Sequence, residues 1–550
     1  MEKVYDFWFD ERNKNLWFNS TLEDDLLITE LFDYLFEFNI DILELKINKK
    51  YALGAIILYD QITRHKMRAQ TSNFELILTC EQQENFIKIT NQIALILQKK
   101  VYSIYKNLLN AEEFAFVMLP LRHSNDFENI KYVMSETWEK IELCEDEIEI
   151  QNYKKFIKAT YERAIKQSTD IKEIKIYLER KEIDEEKEFN EDNFLLEIAK
   201  IADKYRHILD EKCFDEIKEI CTYLDIKQLN LKCIKKLRSL RKDNYILSIS
   251  GGVDSLVCSF ILKKHNINFK CVHINYNNRK ESIDEENFVI EWCKLLNINL
   301  YVRRIEEINR NQCMKHNLRE LYENYTRDVR YNTYLKTEIN NIILGHNQDD
   351  CFENIITNIT SRTKYENLHG MELQTTIKFM NSDINFIRPM LEISKKNIYD
   401  YAKYYNFLFL WDSTPKWSQR GKIRDNVRPA LENFNIETIG GIFEISTILS
   451  QSFEMAESLV KNWIERIIDN YIICSIKELP KNKMFWKEFL KEKNINISNK
   501  TLDNLISFII RIKENKKDIN SFMICELNKF IQIKVKILKN EQIQLFIQEK

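Results

Sequence analysis

Tyr245-Ile246-Leu247-Ser248-Ile249-Ser250-Gly251-Gly252-Val253-Asp254-Ser255 is the stretch on which the reading of this chain turns. One apolar run ends at the Ser-Gly-Gly-Val-Asp-Ser segment, and a second, Leu256 to Leu262, follows it. The pattern predicts a strand, a tight loop and the start of a helix. Successive amides in such a loop lack intrahelical partners and converge on one point at the positive end of the helix, so they form an anion nest. Gly251 and Gly252 permit positive φ and let a phosphate approach the backbone closely. Ser250 and Ser255 add hydroxyl donors, and Asp254 either caps the helix or helps hold a Mg²⁺ ion. Only eight glycines occur in 550 residues, which argues against an ordinary strand-to-helix turn at an adjacent pair. The pattern G-x-x-x-x-G-K-S/T is absent, so this is not a Walker A loop. The segment is similar instead to the S-G-G-x-D-S signature.

A chain of 550 residues implies three or four domains. Hydrophobic content of 44% with 30% charged residues is that of a soluble globular protein. A net charge of −3 argues against a uniformly basic surface that coats nucleic acid, while leaving room for a local basic groove. The twelve cysteines include no C-x-x-C pair, and several, such as Cys258, Cys271 and Cys474, sit in apolar runs. Reduced, buried thiols in an intracellular protein are expected. No apolar stretch approaches the ~18–20 residues that span a membrane. The start, Met1-Glu2-Lys3-Val4-Tyr5-Asp6, lacks a signal-peptide pattern, so a cytoplasmic location is expected.

Residues 1–170 carry apolar positions at helical spacing, as in Leu26, Ile28, Leu31, Phe32 and Leu35, and are expected to be all-α. Three stretches stand out: Val4-Tyr5-Asp6-Phe7-Trp8-Phe9-Asp10, Leu53-Gly54-Ala55-Ile56-Ile57-Leu58-Tyr59-Asp60-Gln61-Ile62-Thr63-Arg64, and Phe116-Val117-Met118-Leu119-Pro120-Leu121-Arg122-His123-Ser124. They resemble the D-F-W-F, L-D-Q-x-x-R-N and Y-L-P-x-x-H-S motifs of a bacterial, tetratricopeptide-like helical family of unknown function, with His65 where that family usually has Asn. The resemblance implies no chemistry. Asp60, Arg64, Arg122 and His123 read either as pocket residues or as an internal ion pair beside a hydrogen-bonded histidine. Residues 171–240 read as a charged linker with helices, because Glu182, Asp184, Glu185, Glu186, Glu188, Glu191 and Asp192 form a self-repelling block.

Residues 241–435 alternate strands and helices. Strands are expected at Tyr245–Ser248, Phe269–Ile274, Leu300–Arg304 and Ile342–Leu344, with helices at Ser282–Leu296, Arg319–Glu338, Asp349–Thr360 and Ser394–Asn406. Apolar strands separated by amphipathic helices imply a Rossmann-like α/β parallel sheet covered on both faces, with ligands at the carboxyl ends of the strands. Residues 436–550 are expected to be mostly helical, with a strand near 530–537. Between 481 and 550 there are 15 Lys or Arg against 8 Asp or Glu, an excess that reads either as a grip on tRNA phosphates or as a solvated surface.

Further motifs in the middle domain resemble one family of PP-loop ATP pyrophosphatases, the tRNA(Ile)-lysidine synthetases. They are His273-Ile274-Asn275-Tyr276-Asn277-Asn278-Arg279 with Ser282 and Glu285-Glu286; Arg327-Asp328-Val329-Arg330-Tyr331; and Gly345-His346-Asn347-Gln348-Asp349-Asp350 with Glu353. Leu368-His369-Gly370-Met371, Arg388-Pro389-Met390-Leu391 and Arg420-Gly421-Lys422-Ile423-Arg424 up to Pro429 complete the set. Asn275 and Tyr276 depart from the family, which usually has Asp and His there. The C-terminal substrate-binding region of bacterial members is not recognisable.

The resemblance implies an adenine nucleotide alpha hydrolase-like fold and a carbon–nitrogen ligase using ATP and Mg²⁺. Its substrates would be free lysine and a tRNA, the isoleucine tRNA with a CAU anticodon. It places ATP on Ser250, Gly251, Gly252, Val253, Asp254, Ser255 and His273. Asp254, Asp349, Asp350 and His346 become catalytic candidates, with Asp254 and Asp349 as metal ligands. Of the two adjacent carboxylates, one holds metal or lysine while the other caps the helix; the alternative is that both only cap. His346 contacts a phosphate or the base. Arg327, Arg330 and Arg424 contact the tRNA or the activated base, or else are surface residues or internal ion pairs. The alternatives to lysine ligation are a tRNA thiolase, which commonly uses C-x-x-C pairs, and a non-catalytic nucleotide- or RNA-binding module.

Overall fold

The computed structural model describes residues 1–72, 80–124, 126–167, 174–176, 198, 200–214, 223–240, 244–361, 370–412, 418–467, 471–493, 495, 497–514, 522–539 and 541–549. The acidic block 182–192 and the Leu368-His369 pair lie outside the described residues.

The N-terminal part is helical throughout its described length, from Glu2–Trp8 to Glu147–Gln167. Capping boxes start two of its helices: Thr21 with Asp24, and Asn110 with Glu113. Each pairs a side-chain acceptor with an orphan amide at the helix start. Of the apolar residues at helical spacing, Ile28, Phe32 and Leu35 enter the core, whereas Leu26 and Leu31 remain exposed. A π-helical turn, Leu58–Ile62, interrupts the helix that carries Asp60.

The middle part is built on a seven-stranded sheet of order β1-β4-β3-β2-β5-β7-β6. Its strands are β1 Ile174–Ile176, β2 Tyr245–Ser248, β3 Phe269–Asn275, β4 Leu300–Arg304, β5 Asn341–Ile343, β6 Gln374–Phe379 and β7 Ser382–Ile387. The five inner strands run parallel, and β1 and β6 are antiparallel edges. The four expected strands are present. β1, β6 and β7 are additions, and β1 comes from the segment expected to be linker. β2 lies at the centre, with β3 on one side and β5 on the other. The chain reverses its direction of travel across the sheet there, and the loops after β2 and β5 open a crevice at the switch point.

The helical part and the sheet share one core. Val133, Trp138, Tyr161 and Ile165 cluster with Ile305, Cys313, Leu318, Tyr325 and Val329 of the middle part. Tyr161 packs on Tyr325 with ring centroids 4.7 Å apart, and its hydroxyl donates to the Glu307 carbonyl at 2.8 Å. Glu142 meets His316 at 3.0 Å and pairs with Lys315.

The last part is a long helix, Thr438–Glu465, followed by two helices packed on a four-stranded antiparallel sheet. The strands are β8 Tyr471–Ser475, β9 Phe522–Glu526, β10 Ile531–Ile537 and β11 Gln542–Glu549, in the order β8-β11-β10-β9. The strand expected near 530–537 is thus one of four. Cys258, Cys271 and Cys474 are buried and free. Among the described residues, no helix is long and apolar enough to cross a membrane.

Candidate active site

The loop between β2 and the helix Val253–Lys264 follows the geometry its sequence implies. Gly251 has φ +85, and a Cβ there would meet Leu410 Cδ1 at 2.4 Å, so both conformation and space demand glycine. The helix follows Gly252 as its N-cap residue, with no side-chain cap on its first-turn amides. The serines hold the loop together: the Ser250 amide donates to Ser255 Oγ at 3.2 Å, and Ser255 Oγ donates to the Gly252 carbonyl at 2.9 Å. Val253 contributes its backbone, because its side chain is buried in the core below. His273, at the end of β3, meets the Ile249 carbonyl through Nδ1 at 2.9 Å. Burial lowers its pKa, so the ring is neutral and braces the loop from beneath.

The loop after β5 packs directly on this one. A Cβ on Gly345 would lie 3.2 Å from the Asp254 carbonyl carbon and the Ser255 amide nitrogen. The next residues carry the polar network. Asn347 Nδ2 donates to Asp254 Oδ1 at 2.9 Å, while its Oδ1 accepts from the Asp349 and Asp350 amides at 2.8 and 3.2 Å. Asp350 Oδ2 in turn accepts from the Asn347 amide at 3.0 Å, closing a reciprocal cap on the helix Gln348–Ser361. Asp350 is therefore the capping carboxylate of the pair. Asp349 faces two groups instead: its Oδ1 accepts from the Lys395 amide at 3.2 Å, and its Oδ2 lies 2.5 Å from Arg428 Nη1.

Lys395 closes the arrangement, with Nζ 2.5 Å from Asp254 Oδ2. Burial raises the Asp254 pKa, against the pull of the Lys395 ammonium and the Asn347 amide. His346 is pushed down to about 4, by burial first, against the opposing charge of Asp350 and with the help of Arg388, Arg420 and Arg330. Its Nδ1 accepts from Arg388 Nε at 3.2 Å, so the ring is a neutral, oriented imidazole.

Asp254, Asp349, Asp350 and His346 thus come together at the carboxyl ends of β2 and β5. The arginines divide. Arg330 lies close enough to His346 for its charge to bear on it. Arg424 is committed to the buried Glu353 at 2.7 Å and to Asp412. Arg327 faces away, lining a cleft of about 360 Å³ between the helical part and the helix Arg319–Leu335, with Lys158, Tyr161 and Glu162. Lys395 and Arg428 escaped the sequence reading. Their signals were position in the first turn of the helix after Arg388-Pro389, and adjacency to Pro429.

The two departures have a physical account. Asn275 Nδ2 donates to the Ser282 carbonyl at 3.0 Å and to Glu286 Oε2 at 2.7 Å, and Glu286 pairs with Arg304 at 2.8 Å. An aspartate there would set two carboxylates against each other, so the amide suits the local charge. Tyr276 stands near Arg330 and packs against the core shared with the helical part.

A hard cation sharing its shell with phosphate would find its carboxylate donors in Asp254 and Asp349. Asp254 and Asp349 each present a carboxylate oxygen already neutralised by a cationic side chain. Among the described residues, no group of three His, Cys, Asp or Glu side chains forms a metal cage. One or two carboxylates completed by substrate phosphates is the usual Mg²⁺ set.

Residues 225–431 match the family model described as a PP-loop domain, and residues 4–193 match that described as bacterial protein of unknown function (DUF924). The tRNA(Ile)-lysidine synthase of Mesoplasma florum is 29% identical over 311 residues, covering 49% of this chain and 74% of that protein. That of Malacoplasma penetrans is 25% identical over 303 residues, covering 54% of this chain and 97% of that protein. Among solved structures, a U34-tRNA thiolase from Methanococcus maripaludis with its iron–sulfur cluster aligns at 17% identity and a TM-score of 0.36, covering 42% of this chain and 81% of that chain.

Proposed function

We propose that this chain, in which a PP-loop domain is fused to a helical domain of the DUF924 type, is an ATP-dependent tRNA-modifying ligase of the lysidine-synthetase kind. The observation that carries the reading is the uncapped helix start at Gly252, set against the Asp254–Lys395 and Asp349–Arg428 pairs at the switch point of a parallel sheet. The nest takes the phosphates of ATP, and Lys395 and Arg428 supply positive charge where negative charge develops.

In the first step the C2 oxygen of an anticodon cytidine attacks the α-phosphorus, an oxygen–phosphorus bond forms, and pyrophosphate leaves into the nest. In the second, the amine of free lysine attacks C2, the C2–oxygen bond breaks, and AMP departs with that oxygen. The amine enters as an ammonium and gives up protons, and a carboxylate near the crevice is the natural acceptor. Asp254, its pKa raised by burial, and Asp349 are the candidates. Asp350 keeps the helix start in place. Asp254 or Asp349, together with the phosphates, would hold Mg²⁺, which would supply further charge neutralisation. Bringing the cytidine to the crevice requires it to leave its stack, at a cost of a few kcal/mol. Lys534 and Lys536 on the outer face of β10, both over the Phe522 ring, offer a basic and aromatic surface for RNA.

The reading is tested by mixing the protein with ATP, lysine and isoleucine tRNA carrying a CAU anticodon. AMP release that requires both lysine and this tRNA is expected. No AMP with any tRNA contradicts it and favours a binding module, whereas AMP that needs a sulfur donor favours a thiolase.

A further inference from the structure

The helical domain carries an arginine cluster that the proposed ligation does not use. Arg64, Arg122 and Arg163 come from three different helices, Thr63–Ser72, Ala111–His123 and Glu147–Gln167. Each has a buried Nε atom with no hydrogen-bond partner. Buried donors left unpaired cost on the order of 1–3 kcal/mol apiece and ask for an explanation. Arg122 stacks on Phe156 with 5.1 Å between guanidinium carbon and ring centre, and no carboxylate pairs with it or with Arg163 among the described residues.

Beneath the cluster lies Asp60, 2% exposed and placed by the π-helical turn, itself a device common at functional sites. It accepts from Gln61 at 2.5 Å and Arg64 at 3.1 Å, and meets His123 at 3.2 Å, so it orients the site but neutralises only one charge. Three guanidinium groups against that one carboxylate leave an excess of two positive charges. Burial pushes Arg122 down to about 10; Asp60 opposes this, the nearby Arg163 and Arg64 add to it, and the exposed Glu162 opposes it. His123 is held neutral by burial.

We infer that the helical domain binds a dianionic phosphate group, of the phosphomonoester class, between Arg64, Arg122 and Arg163 above the Asp60–His123 pair. Planar guanidinium forks match phosphate oxygens in pairs, and a dianion cancels the excess charge that a carboxylate or a phosphodiester would only halve.

Calorimetric titration of the full chain with inorganic phosphate tests this. Binding at least tenfold weaker in Arg122→Gln and in Arg163→Gln than in the unaltered chain is expected. If Arg122→Gln fails to fold, Arg163→Gln alone decides. Dimethyl phosphate, a monoanionic diester, should bind at least tenfold more weakly than phosphate. The assignment is overturned by undetectable phosphate binding at millimolar concentration, by binding indifferent to the arginine variants, or by equal affinity for the diester.

Discussion

Lys395 Nζ lies 2.5 Å from Asp254 Oδ2, so the first turns of two helices from opposite ends of the PP-loop domain are tied together at the mouth of the phosphate loop. Both side chains are about a quarter exposed, which keeps the pair accessible to a ligand. Lys395→Met should therefore lower AMP formation by roughly 100-fold, as loss of a charge-stabilising donor does, and leave the melting temperature within a few degrees of wild type. Steady-state AMP release with a thermal scan checks this; wild-type turnover would remove Lys395 from the site.

Gly251→Ala places a methyl group where φ is +85 and Leu410 Cδ1 is 2.4 Å away. The left-handed backbone costs about 1–2 kcal/mol and the overpacking about 1–3 kcal/mol. Denaturant unfolding should show a loss of that order. Combining it with Leu410→Ala should relieve the clash but not the backbone strain, so ATP affinity stays impaired.

His346 gives a signed pH effect. Its pKa falls from 6.5 to about 4 on folding, so between those values the unfolded chain binds the extra proton. This contribution to stability is fully present above pH 6.5 and is lost as the pH falls towards 4, with an upper bound of about 3 kcal/mol. His346→Gln should flatten the pH dependence of unfolding in that window. An unchanged slope would mean the imidazole is not buried neutral.

The Tyr161 hydroxyl donates to the Glu307 carbonyl and accepts from Trp138 Nε1 at 3.0 Å, joining the helical domain to the PP-loop domain. Tyr161→Phe should cost about 1–3 kcal/mol, because a buried indole N–H and a carbonyl both lose their partner. With a shared core, calorimetry should show the helical and PP-loop parts unfolding together. Two resolved transitions for them would contradict that coupling.

Much of the sheet was legible because β2, β3 and β4 are short apolar runs between amphipathic helices. The hairpin of β6 and β7 was not. Its residues are mostly half-exposed, and its turn uses Met380 at φ 47 and Asn381 at φ 65 with no glycine to announce it. β1 was hidden in a charged segment, and nothing in the sequence marks which helices share a core with Tyr325. Within the site, the loop and Asp349-Asp350 carry recognisable spacing, whereas Lys395 and Arg428 are lone cations in a chain with 82 lysines and arginines. Arg424 reads as a contact to the RNA or, failing that, as a surface residue or an internal ion pair, and only the fold selects the pairing with the buried Glu353. The arginine cluster of the helical domain needs three helices brought side by side before it exists at all.

The most direct test of the central claim is a crystal structure with a non-hydrolysable ATP analogue. The account predicts phosphate oxygens within about 3 Å of the amides of residues 251–255, with Lys395 or Arg428 turned towards them. A nucleotide bound elsewhere, with no phosphate near those amides, would contradict it.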